Sequence, residues 1–117
     1  MVSTEKASNK QAPVPYLKEA VDSSIDITKP ITAVMPAYPS AWTGLVLGVC
    51  HEGTGGGRNP ATFINPWQNT KDAFFELDVS AHDFKAGDVI QVFAIMTNAD
   101  HGNHVPDSLK YTCVSGS

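Results

Sequence analysis

Ala73-Phe74-Phe75-Glu76-Leu77-Asp78-Val79 and Val89-Ile90-Gln91-Val92-Phe93-Ala94-Ile95-Met96 are two apolar runs with period-two alternation. They are joined by Ser80-Ala81-His82-Asp83-Phe84-Lys85-Ala86-Gly87-Asp88. Successive side chains of a strand point to opposite faces, so alternation on this scale builds a sheet with one buried face. The polar joint turns the chain back on itself, as in an antiparallel β domain.

Working outward from this pair, the same reading gives further short strands. Gly44-Leu45-Val46-Leu47-Gly48-Val49-Cys50-His51 is nearly continuous apolar sequence, the mark of a strand inside a sheet. Residues 31–35 read as a strand stopped by Pro36, because proline fixes φ and cannot donate to a ladder. Residues 61–64 form a short strand, and 108–114 close the chain with Leu109, Tyr111 and Cys113 alternating. Residues 16–21 and 25–27 are briefer candidates, and no segment carries a sustained helical period. Turn signals recur between these runs, so the expected fold is an all-β antiparallel β-sandwich of about seven strands. Phe63, Phe75, Leu77, Ile90, Val92, Leu109 and Tyr111 are the expected core. Residues 1–13 read as a polar leader and residues 14–117 as a single domain.

Composition narrows the function classes. The chain has 117 residues, a formal net charge of −4, 42% hydrophobic and 17% charged residues. Its eight Lys and Arg are scattered and form no stripe for phosphates, which argues against nucleic acid. No apolar run approaches the length of a membrane span, and the first dozen residues hold no apolar signal region. The expectation is therefore a cytoplasmic chain, or one exported by a route without a Sec signal. Cys50 and Cys113 are too far apart in sequence for a CxxC metal or redox pair.

The order of several small motifs resembles a known family. These are Pro15-x-x-x-Glu19-Ala20-Val21-Asp22, Ile25-Asp26, Ala33-Val34-Met35-Pro36-x-Tyr38-Pro39 and the apolar strand from Leu45. Phe75-x-Leu77-x-Val79, Gly87-Asp88-Val89-x-x-Val92 and Ser108-Leu109-x-Tyr111-x-x-Val114 follow. Together they are similar to the immunoglobulin-like repeats strung in tandem through large bacterial surface and adhesin-type proteins. The resemblance spans residues 13–114 and implies an immunoglobulin-like sandwich, here as one copy. Its motifs are turns and core positions and imply no active site. The cysteine spacing is like that of the inter-sheet cystine of immunoglobulin domains, and such a bridge would add about 4 kcal/mol in the chain-entropy model. The other reading is two small buried thiols.

Candidate chemistry is sparse. Gly53-Thr54-Gly55-Gly56-Gly57-Arg58 lacks the GK[ST] ending and following helix of a phosphate loop, and reads as a hairpin loop or a glycan-contacting loop through Arg58 and Asn59. His101-x-x-His104, with Asp100, Asp107 and His51-Glu52, offers metal-ligand types without a fixed helical spacing, so solvated loop histidines are the plainer reading. The turn residues Asp22, Asp26, Asp83 and Asp88 miss the spacing of a calcium loop. Adjacent Cys50 and His51 point to opposite faces of a strand and cannot pair in a catalytic triad, and no G-x-S-x-G elbow occurs. No cofactor and no enzymatic activity are expected.

What remains is recognition. Trp42, Trp67, Tyr16 and Tyr38 lie in or beside loops, where rings stack on sugars, anchor a protein, or plug the sandwich ends. Trp67 is expected to be the most exposed of them. The sequence therefore points to a non-catalytic module binding a glycan or a protein through loops at one end of the sandwich. Trp67 would stack, while Arg58, Asn59, His51, His101, Asn103 and His104 would hydrogen-bond. The competing expectation is an assembly protein that self-associates, or docks into a larger complex, through edge strands.

Overall fold

In a computed structural model, residues 13–52, 60–79, 84–100 and 102–115 are described. They form nine strands: β1 Tyr16–Leu17, β2 Ser24–Asp26, β3 Ile31–Met35, β4 Gly44–His51, β5 Ala61–Ile64, β6 Ala73–Leu77, β7 Val89–Asn98, β8 Gly102–His104 and β9 Leu109–Val114. Two sheets face one another. The smaller has order β1-β3-β6; the larger runs β2-β9-β7-β4-β5, with β8 also pairing β7. Every pairing is antiparallel except that of β2 with β9.

Alternation decides which side chains meet between the sheets. Leu45, Leu47 and Val49 of β4 lie beside Ile90, Val92, Ala94 and Met96 of β7, and all are fully buried. Ile31, Ala33 and Met35 of β3, with Ala73 and Leu77 of β6, form the opposing layer. Each such large side chain removed from water contributes roughly 1.5–3 kcal/mol, which makes this seam the main source of stability. Tyr111 crosses the gap: its hydroxyl accepts the Leu17 N–H at 3.0 Å, so the buried phenol is satisfied and the layers are tied.

Gly48 points out of the larger sheet, on the face away from the core. A Cβ there would meet the Phe93 ring at 2.8 Å and the Pro60 carbonyl at 2.5 Å. Glycine is needed because the ring of its cross-strand partner lies over it. The same arrangement buries Phe93 on an outward-facing position.

The runs at 31–35, 44–51 and 61–64 match β3, β4 and β5. Leu77, Ile90, Val92 and Tyr111 are buried as expected, while Phe75 is half-buried. Two core assignments are corrected. Phe63 is 62% exposed, because it lies on the outer face of β5 opposite Val46; Leu109 is 44% exposed, at the start of β9. The polar stretch after Asn98 contributes the strand β8, which apolar patterning could not reveal because all its residues are exposed.

The inter-sheet cystine is also excluded. Cys50 and Cys113 are free thiols in the same sheet, with β7 between their strands. Two strand spacings are roughly 9.5 Å, and Cys50 faces outward while Cys113 joins the core, so no bridge can close. Among the described residues no helix is long and apolar enough to cross a membrane.

Candidate functional site

Three segments converge at the end of the sandwich where β4 begins: residues 36–43, residues 65–72, and residues 98–100 with 102–108. They converge because Gly44 pairs Thr97, Met35 pairs Ala73, and β8 folds back on Met96 and Asn98. The first segment is held by groups reaching from the other two. The Asn69 carboxamide donates to the Ser40 carbonyl at 2.9 Å and the Trp42 carbonyl at 2.7 Å. Asn98 Nδ2 donates to the Ala41 carbonyl, and the Asp72 carboxylate accepts the Ala37 N–H at 2.8 Å. Backbone bonds from Tyr38 N to Asn69 O and from Trp67 N to Thr43 O, both 2.7 Å, complete the frame.

This frame fixes Trp42. The indole packs on the core edge and stacks with His104, ring centroids 6.0 Å apart and planes 23° from parallel. His104 is exposed and is delivered by β8, whose Gly102 adopts φ +84. The left-handed region costs glycine little, so the chain can reverse there and return to β7. The result is a flat aromatic pair. The Ser40 hydroxyl next to it donates to the Tyr38 carbonyl and accepts the Trp42 N–H, while Asn103, opposite Thr97, is exposed on the other face of β8.

The opposite end is charged. His51 Nε2 lies 3.1 Å from Asp88 Oδ2, and the His51 ring is tilted against Phe84 with centroids 4.9 Å apart. Asp88 Oδ2 also accepts the Lys85 N–H at 3.0 Å. That backbone bond first, and the His51 contact second, hold the Asp88 carboxyl below its ordinary range. Burial, helped by the nearby Asp88 charge, pushes the Cys113 thiol up to about 11. A thiol so placed stays protonated and is a poor nucleophile, so this grouping of Cys, His and Asp types is not an activated triad. Lys110 and Glu52 pair at 2.8 Å on the surface nearby.

The residues expected to share one site therefore divide. Asn103 and His104 lie at the Trp42 end, whereas His51 closes β4 at the other, roughly 23 Å away by strand rise. The reason is the antiparallel pairing of β4 with β7, which puts the strand ends His51 and Asn98 at opposite poles. Arg58, Asn59 and His101 lie outside the described residues. Trp67 is corrected outright: it is 4% exposed and belongs to the core, so it cannot stack on a ligand. Its Nε1 is buried without a hydrogen-bond partner.

The sequence offers Trp42 among four loop aromatics without distinguishing it, and its apolar patterning passes over Asn69 and Asn98. Their signal was a carboxamide at each loop entry, a residue type that satisfies loop carbonyls. Among the described residues no group of three or more His, Cys, Asp or Glu could hold a metal ion. His51 and Glu52 sit at the far end from His104 and could not join it on one ion. No protein-family model, curated protein or solved structure matches this chain.

Proposed function

We propose that this chain is a non-catalytic recognition module whose ligand, a glycan, docks on the Trp42–His104 pair. The observation that carries the reading is the pair itself: a stacked aromatic surface at a loop end, held by side-chain hydrogen bonds from two other loops. A flat ring offers the apolar face of a sugar a contact surface, and the exposed His104 imidazole can hydrogen-bond to its hydroxyls. Because the loops are already tied together, binding costs little further ordering.

The immunoglobulin-like assignment belongs to the same proposal. It is supported by the two facing sheets, the passage from the small sheet to the large one between β1 and β2, and the parallel pairing of β2 with β9. The presentation of loops from both sheets at one end is the arrangement that immunoglobulin variable domains use for ligands.

A glycan array followed by calorimetric titration tests the proposal. Trp42→Ala is expected to weaken the best glycan at least tenfold, while His51→Ala at the opposite end leaves affinity unchanged. Circular dichroism of both variants checks that the fold survives. Binding to no glycan overturns the sugar reading. If an affinity pull-down then captures a protein through Trp42, the ligand is a protein; glycan binding that survives Trp42→Ala removes the site.

A further inference from the structure

The outer strands of the two sheets differ in how they are protected. β1 has two residues and is followed by Lys18 and Glu19; β2 has three and contains Asp26. β6 carries Glu76 and is flanked by Asp72 and Asp78. Short length and charge are the usual means of keeping a strand edge from pairing with another chain. β5, Ala61-Thr62-Phe63-Ile64, has neither protection to the same degree: it holds no charged residue, and it lies at the end of the larger sheet.

Its hydrogen-bond phase follows from one contact. The Val49 N–H donates to the Pro60 carbonyl at 3.0 Å, in register with the pairing of Gly48 and Ala61. Antiparallel ladders alternate, so Thr62 and Ile64 exchange bonds with Leu47 and Leu45, and the N–H and C=O of Ala61 and Phe63 point away from β4. Among the described residues no backbone bond from beyond β4 reaches them. On the outer face, exposed Phe63 starts a transverse row that continues through Val46 to Ile95.

We propose that β5 pairs antiparallel with β5 of a second copy of this chain, across a twofold axis at Thr62. That register is the one the outward groups permit. Ala61 meets the partner's Phe63 and Phe63 meets the partner's Ala61, giving four N–H to C=O bonds, while Thr62 faces its own copy. Charge favours a second copy as the occupant. A twofold sets every residue near its equivalent, which an uncharged strand accepts, whereas self-pairing of β6 would bring its Glu76, Asp72 and Asp78 carboxylates close to those of its copy. Each Phe63 ring would then lie over the partner's Ala61, and the larger sheets would become continuous. Because the pairing reverses strand direction, the two Trp42 ends would point away from one another. This inference does not depend on the glycan reading.

Sedimentation equilibrium from micromolar to millimolar chain tests it, with mild oxidation of Thr62→Cys as the second measurement. The wild type is expected to approach twice the 12.5 kDa chain mass. Thr62→Lys, which places two ammonium groups at the axis, should weaken association at least tenfold with an unchanged circular dichroism spectrum. Thr62→Cys should form a disulfide-linked dimer, since directly opposite residues of a non-hydrogen-bonded pair lie about 4.5 Å apart at Cα. Ser24→Cys on the β2 edge should not. A wild type monomeric throughout overturns the proposal. So does a dimer untouched by Thr62→Lys, or one trapped through Phe74→Cys on the small sheet and not through Thr62→Cys.

Discussion

The two ends of the sandwich are built by different forces. At the Trp42 end, carboxamides donate to backbone carbonyls of a neighbouring loop, and an aromatic pair caps the result. At the His51 end, side chains meet as acid and base on a half-exposed surface: His51 with Asp88, Lys110 with Glu52. Bonds to backbone groups fix where a loop lies and are little affected by salt, whereas exposed ion pairs contribute at most about 1 kcal/mol and fade with ionic strength. An end braced through backbone groups suits a fixed recognition surface; the His51 end mainly closes the core over Phe84.

The contrast is broken most severely at Trp67. Trp67→Ala should cost about 3–5 kcal/mol by removing a large core ring beneath the loop frame, read as the loss of denaturation midpoint in urea. Trp67→Phe should cost much less, because it also removes the buried N–H that has no acceptor. A Trp67→Phe variant as unstable as Trp67→Ala would show that the indole N–H is satisfied in solution.

Asn69→Ala sharpens the comparison at the frame itself. It deletes two bonds to the 36–43 segment and should cost about 1–3 kcal/mol. The informative readout is the solvent accessibility of Trp42, measured by acrylamide quenching. Quenching should rise in Asn69→Ala and stay constant in Lys110→Ala, since a surface ion pair positions no loop.

The smallest effect is expected at Asp88, and it is a matter of pH. Its carboxyl is held below the ordinary 3.8, so the fold favours the ionised form. The sign follows from linkage: this contribution is fully present above the unfolded-state value and is lost as pH falls through the lower folded-state value. Thermal midpoints should therefore drop less between pH 5 and pH 2 in Asp88→Asn than in the wild type. Equal acid sensitivity of the two proteins would remove Asp88 from the account.

Much of the fold was legible because burial is written into local order. Continuous apolar sequence gave β4, and alternation gave β7 and β9. The same logic failed at Phe63, Leu109 and Trp67. A phenylalanine in a short edge strand has the same local signature whether its face is covered or bare, and a tryptophan between Pro66 and Gln68 reads as loop whether it points outward or plugs the core. β8 was invisible for the complementary reason: it is a strand made by pairing alone, with no buried face to mark it.

The chain order of hydrophobic and polar side chains thus determined that this protein is layered β structure and where most strands run, since strand period and side-chain solvation are properties of a few neighbouring residues. Only the tertiary structure decided that His51 and His104 stand at opposite poles, that Trp42 and not Trp67 is the ring beside His104, and that the cysteines share a sheet. Those facts depend on which strand pairs with which and in what direction. Such pairing is a choice among distant partners, and no local pattern records it.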